Sequence, residues 1–176
     1  MSDATRRISI FVMDVDGTLT DGKIYIGENG ELCKAFNIKD GYGICHILPL
    51  IGARPVIITG RKSIILENRC RELGITELYQ GVNNKKDLLV EISHGKMGEI
   101  AYIGDDLNDY ECMQWIKAAG GIVGCPSDAA EQVVRIADYV SKYRGGDGAV
   151  RGFIDWILSN NKRGMSNEHN LHHETG

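Results

Sequence analysis

Ile8-Ser9-Ile10-Phe11-Val12-Met13-Asp14-Val15-Asp16-Gly17-Thr18 is the stretch on which the fold turns. The apolar run from Ile8 to Met13 is stopped by an aspartate, as in a strand buried on both faces of a parallel sheet. Pro55–Ile58, Ile100–Ile103 and Ile122–Val123 have the same character. Between them the period is helical. Leu66, Cys70 and Leu73 fall at i, i+4 and i+7, and Gly74 follows as a helix stop. Val150, Phe153, Ile154, Ile157 and Leu158 predict an amphipathic helix near the end. Strand and helix in alternation predict an α/β fold with helices on both faces of a mostly parallel sheet. One segment departs from that rhythm. Lys23–Ile26 and Leu32–Phe36 flank Gly27-Glu28-Asn29-Gly30-Glu31, which predicts a β-hairpin directly after the first strand. Ligands bind at the carboxyl ends of such strands, so the residues after each apolar run are the candidates.

The bulk numbers set bounds. With 176 residues, 43% hydrophobic and 25% charged, the chain can bury a core as one globular domain. Residues 1–159 are read as that domain and residues 160–176 as a polar, disordered tail. Glu168-His169-Asn170-Leu171-His172-His173 is read as part of that tail rather than as a metal site. A net charge of -4 speaks against nucleic acid as the main partner. Cys33, Cys45, Cys70, Cys112 and Cys125 are odd in number and contain no C-x-x-C pair, so reduced thiols in a cytoplasmic protein are expected. Ile8–Met13 is too short for a signal segment or a membrane span, and no membrane partner is expected.

Four strand ends carry chemistry. Asp14 and Asp16 lie two apart on an extended segment, so both carboxylates can face one site, where their repulsion calls for a cation such as Mg²⁺. A solvated turn is the alternative. A calcium loop fails, because Leu19 stands where it needs Gly and Tyr25 where it needs Glu. Thr59-Gly60-Arg61 brings a hydroxyl and a guanidinium to the second strand end, a place where Thr-Gly is also an ordinary turn. Lys85 opens a helix, as a surface lysine also can. Gly104-Asp105-Asp106-Leu107-Asn108-Asp109 places three acids after a buried strand. They favour the helix dipole, and an adjacent pair there is costly without a cation.

The ordered set, Asp-x-Asp-x-Thr, then Thr, Lys and Gly-Asp-Asp-x-x-Asp, resembles the haloacid dehalogenase superfamily from Ile8 to Leu158. Lys34-Ala35-Phe36-Asn37-Ile38-Lys39-Asp40-Gly41-Tyr42-Gly43-Ile44 is similar to the 3-deoxy-D-manno-octulosonate 8-phosphate phosphatases. So are Ile57-Ile58-Thr59-Gly60-Arg61-Lys62, Leu78-Tyr79-Gln80-Gly81 and Gly145-Gly146-Asp147-Gly148-Ala149-Val150-Arg151. The resemblance implies a Rossmann-like three-layer sandwich without a cap domain, and a phosphomonoesterase of lipopolysaccharide precursor synthesis. It implies Asp14 as nucleophile, Asp16 as general acid and base, and Thr59 and Lys85 on the phosphoryl oxygens. It also implies Mg²⁺ on Asp14, Asp105 and the Asp16 carbonyl, with Asp106 and Asp109 in support. Substrate contacts carry over to Asp16, Asn37, Ile38, Lys39, Asp40, Gly41, Arg61, Arg69, Lys85 and Asn108. A homotetramer is implied, because a site without a cap needs a lid from a neighbour; the hairpin and the Gly-rich segment before the last helix are the donors.

One position departs. The octulosonate phosphatases place a second arginine just after Ile44, where this chain has Cys45, and Lys39, Arg54 or His46 would have to compensate. A sister activity on nine-carbon sialic-type acid 9-phosphates is the alternative, although such enzymes carry an acid where Arg61 stands. A phospho-receiver domain would place its acidic pair first and its phosphorylated Asp later, the reverse of what is seen. An inactive regulatory relative would lack catalytic residues, and every one is filled.

Overall fold

The computed structural model describes the backbone of residues 7–171 and the side chains of residues 7–161. Its centre is β1, Ile10–Met13, buried along its whole length. Alternation sends Phe11 and Met13 to one face and Ile10 and Val12 to the other, where each joins a separate apolar cluster. β1 pairs in parallel with β4 (Arg54–Thr59), Ile57 opposite Met13, and with β6 (Ile100–Ile103), Ile103 opposite Met13. β5 (Glu77–Gln80), β7 (Ile122–Cys125) and β8 (Tyr139–Val140) complete a six-stranded sheet in the order β5-β4-β1-β6-β7-β8. The chain therefore leaves β1 for one side and returns to the other. That reversal opens a crevice at the carboxyl ends of β4, β1 and β6.

Two helical layers cover the sheet. Against Phe11 and Met13 pack the segment 38–51, helix α3 (Ile64–Leu73) and helix α7 (Ala149–Leu171). Against Ile10 and Val12 pack α4 (Lys85–Ser93), α5 (Leu107–Ala118) and α6 (Glu131–Ile136). The segment 38–51 is one helical run in three parts. α1 (Ile38–Tyr42) is followed by a wider turn at Gly43–Ile47, where Leu48 N–H donates to Gly43 O, and then by α2 (Leu48–Ile51). Pro49 has no N–H to continue a regular ladder, which suits the widening. Gly74 ends α3 in the left-handed conformation, as its sequence position predicted. The hairpin also stands where it was predicted, as an antiparallel pair narrower than the sequence suggested: β2 (Tyr25–Gly27) and β3 (Gly30–Cys33). No domain is inserted between the sheet's strands. α7 runs past the boundary read at Ser159, as far as Leu171.

Phe153 is the keystone of the first layer. It is fully buried and stacks on Tyr139, with ring centroids 5.6 Å apart, beside Phe11 and Trp156. Phe153→Ala should destabilise the protein by about 3–5 kcal/mol. A lower urea midpoint with an unchanged m value would show it.

Candidate active site

Asp14 and Thr59 stand at strand ends around the crevice, Asp16 lies just beyond Asp14, and Lys85 opens the helix that follows β5. Asp14 follows β1, and its N–H donates to Ile103 O of β6 at 3.0 Å. Thr59 ends β4, buried, with Arg61 N–H donating to its hydroxyl at 3.4 Å. Lys85 opens α4 behind Asn84, whose side chain accepts from Lys86 N–H and Asp87 N–H and caps the helix.

Lys85 is the link between the loops. Its buried ammonium donates to Asp14 Oδ1 at 2.5 Å and to Asp109 Oδ1 at 2.7 Å. Burial alone would lower its pKa, but Asp109 and Asp14 outweigh that and hold it above the ordinary value. Asp109, fully buried, is saturated: Oδ1 also accepts from Tyr102 O–H at 2.7 Å, and Oδ2 accepts from Asp105 N–H at 3.1 Å. Asp106 has a different part. It is exposed and caps α5, its carboxylate accepting from Leu107 N–H while Asp109 closes the reciprocal box. Tyr102 escaped the sequence reading, where it passed as one more residue of a buried strand. The signal was there, since a buried phenol needs a partner.

A divalent cation fits this set. One carboxylate oxygen each of Asp14, Asp105 and Asp109 lie within 4.8 Å of one another. Burial, reinforced by the charge of Asp109, pushes the Asp14 carboxyl up to about 8. Burial likewise pushes Asp105 up to about 7, against the hydrogen bond from Thr18 O–H at 2.9 Å. Crowded, dehydrated carboxylates of this kind ionise readily only beside a cation, and hard oxygen donors suit Mg²⁺. Since Asp109 is saturated by its own partners, Asp14 and Asp105 would hold the ion. The chain leaves room for Asp105 because residue 17 is glycine. Gly17 has φ +102, and a Cβ there would lie 2.0 Å from an Asp105 oxygen.

Asp16 is held from the hairpin side. Its Oδ1 accepts from the Lys34 ammonium, which also meets Glu31 Oε1 at 3.1 Å. Arg61 Nε lies 3.6 Å from Asp16 Oδ2, with the guanidinium 3.9 Å from Glu31. Glu31 in turn accepts from Ser63 O–H. Lys34, Glu31 and Ser63 were not among the predicted site residues, because their place depends on how the hairpin folds back.

This constellation has relatives of known name. The 3-deoxy-D-manno-octulosonate 8-phosphate phosphatase KdsC of Escherichia coli is 45% identical over 156 residues, covering 86% of this chain and 79% of the relative. The crystal structure of the Yersinia pestis phosphatase of that name superposes with a TM-score of 0.81 at 40% identity, covering 90% of this chain and 84% of that one. The Moraxella catarrhalis phosphatase, solved with magnesium ion, phosphate ion and KDO, gives 0.80 at 34% identity, covering 95% of each chain. No model of a known protein family matches the chain. This chain belongs to the 3-deoxy-D-manno-octulosonate 8-phosphate phosphatase family. The family's members are phosphomonoesterases of the cap-less haloacid dehalogenase type, and the acidic set here accommodates the magnesium they use.

The substrate residues implied by that phosphatase family divide into two groups. Arg61, Asn37, Ile38, Lys39 and Asn108 keep exposed or half-exposed surface. Asp40, Gly41 and Arg69 are tied into the fold. Asp40 is buried and its Oδ1 accepts from Arg151 N–H at 2.7 Å, which pins α1 to the start of α7. Arg69 pairs with Glu72 at 2.8 Å and lies over the Phe36 ring. Asp40 Oδ2 and Arg69 Nε, both without a protein partner, line a cavity of about 10 Å³, enough for one bridging water. Cys45, where the resemblance implied a second arginine, is half-buried and donates its thiol to Leu73 O at 3.4 Å. Arg54 cannot replace that arginine. It sits at the far end of β4, paired with Glu77 and the Ile92 carbonyl.

The raised carboxyls give a sign for metal linkage. A folded-state pKa above the unfolded value stabilises the protein at low pH, and that contribution fades as pH rises from about 4 through about 8. Mg²⁺ displaces those protons, so its stabilising effect should grow with pH. Thermal unfolding with and without Mg²⁺ should show a larger rise in Tm at about pH 8.5 than at about pH 5.5.

Proposed function

We propose that this chain hydrolyses 3-deoxy-D-manno-octulosonate 8-phosphate to the sugar acid and phosphate through an aspartyl-phosphate on Asp14. The carrying observation is the buried Asp14–Lys85–Asp109 set at the crevice, in a chain 45% identical to KdsC. Asp14 supplies an oxygen that attacks phosphorus in line as the ester P–O bond breaks. Lys85 neutralises the repulsion between that carboxylate and the phosphoryl group, and Thr59 offers its hydroxyl to the same oxygens. Asp16 protonates the departing alkoxide, then takes a proton from the water that cleaves the aspartyl-phosphate. Asp14 and Asp105 would hold magnesium, which when bound would supply positive charge against the negative charge of the phosphoryl group.

Arg61 carries specificity. Its side chain is 45% exposed and loosely held, which leaves the guanidinium able to take a sugar-acid carboxylate by paired hydrogen bonds. Exposed Lys39 is the available cation near the helical segment that follows the hairpin, while Asp40 and Gly41 would meet substrate through backbone atoms. Loss of the arginine at Cys45 should appear as a raised KM. Five free cysteines agree with a reducing cytoplasm, and no helix among the described residues is long and apolar enough to cross a membrane.

Phosphate release should fall more than about tenfold in Asp14→Asn with the fold intact. In a side-by-side comparison, kcat/KM should favour the eight-carbon 8-phosphate over sialic-type 9-phosphates; a preference of about tenfold or more for the latter would overturn the substrate.

A homotetramer is part of the same reading. Ile24, Ile26 and Leu32 on the hairpin and Ile38 beyond it are exposed apolar side chains, the kind of surface that a neighbouring copy covers. Light scattering should give about four times the single-chain mass, reduced by Ile26→Glu with Leu32→Glu. A fully active single-chain species would refute it.

A further inference from the structure

The hairpin does more than lie near the crevice. Lys34, immediately after β3, has a side chain only 3% exposed, and its ammonium sits between two carboxylates, Asp16 and Glu31. Placing a cation there is unfavourable in itself, because an apolar residue of similar volume usually serves stability as well or better. The arrangement has a direction. Ser63 caps α3 through Leu66 N–H, and its own N–H donates to Gln80 Oε1 at 2.7 Å at the end of β5. Its hydroxyl holds Glu31, Glu31 holds Lys34, and Lys34 holds Asp16. A rigid helix and a sheet strand are thus connected, one polar contact at a time, to the carboxylate assigned as the acid. Arg61 touches the same two carboxylates at longer range and keeps much of its surface free.

We propose that Lys34 is a positioning residue that fixes the Asp16 carboxylate toward the leaving oxygen, with Glu31 and Ser63 as its anchor. The inference rests on Asp16 acting as the acid in the hydrolysis proposed above. Lys34 has no exposed donor left for a ligand, so substrate recognition falls to Arg61 and orientation of the acid to Lys34. Without the ammonium, Asp16 would swing into solvent, and the proton would reach the ester oxygen in a smaller fraction of encounters. The hairpin's docking and the acid's orientation are then one event.

The test uses esters that differ in their need for a proton. A sugar 8-phosphate expels an alkoxide that must be protonated, whereas p-nitrophenyl phosphate expels a phenolate that leaves unaided. Lys34→Met should lower kcat and kcat/KM on the sugar phosphate by about 10²-fold, and kcat/KM on p-nitrophenyl phosphate by less than about tenfold. Lys34→Arg should recover part of the loss. Glu31→Gln should show the same selective loss more weakly, and it carries the test if Lys34→Met does not fold. Equal losses on both esters would overturn the proposal, as would an unchanged kcat with a raised KM for the sugar phosphate, which would mark Lys34 as a substrate contact. Wild-type protein inert toward the sugar phosphate would instead refute the hydrolysis itself.

Discussion

A buried ammonium between two buried carboxylates is stable only if all three are delivered together and nothing else can reach them. Lys85 meets that condition because the sheet brings three strand ends to one point. β1 delivers Asp14, β5 leads to the turn that starts α4 at Lys85, and β6 leads to the loop that ends at Asp109. Asp109 receives from Tyr102 on the same strand and from the backbone of its own loop, so the cation is anchored on one side before substrate arrives. Asp14 is the partner left over. Its remaining oxygen and that of Asp105 are the groups made reluctant to ionise, which keeps the site tuned to an incoming metal and phosphate.

A second set of charges sits on the outer wall. Lys34, Glu31, Asp16 and Arg61 are balanced in sign, yet they differ in freedom, since the lysine is enclosed and the arginine is open. The wall is built from a hairpin whose arms carry the exposed apolar side chains Ile24, Ile26 and Leu32. One short excursion of chain therefore faces Asp16 through Lys34 and Glu31 and leaves Ile26 and Leu32 exposed.

The sheet was legible because β1, β4, β6 and β7 are buried on both faces and so read as plain apolar runs. β5 escaped periodicity: Glu77–Gln80 is half-buried at the sheet edge and carries a glutamate that pairs with Arg54. Helix 38–51 contains Gly41 and Gly43, poor helix formers, retained because side chains crowd them; a Cβ on Gly41 would sit 2.5 Å from Arg69. Asp14, Asp105, Asp109 and Lys85 were readable as candidates from their places after strands, and the fold gathers them. The Lys34 bridge was not, because it joins residues across a hairpin whose fold-back no local pattern encodes. Asp40 and Arg69, which the resemblance implied as substrate contacts, also have packing partners that no local pattern announces, Arg151 N–H for one and Glu72 for the other.

The central position of β1 has a consequence for the order of assembly. β1 has its neighbours in residues 54–59 and 100–103, so it cannot be paired on both sides until residue 103 has been made. Until then an apolar segment ending in Asp14 has at most one ladder to join, and long loops must close before it is covered, the circumstance that slows folding in proteins of non-local topology. The acidic residues that follow the first strand thus serve a second purpose during synthesis. Asp14, Asp16 and Asp21 put charge beside the segment most exposed to misassociation, in the manner of gatekeepers, well before there is any phosphate for them to meet.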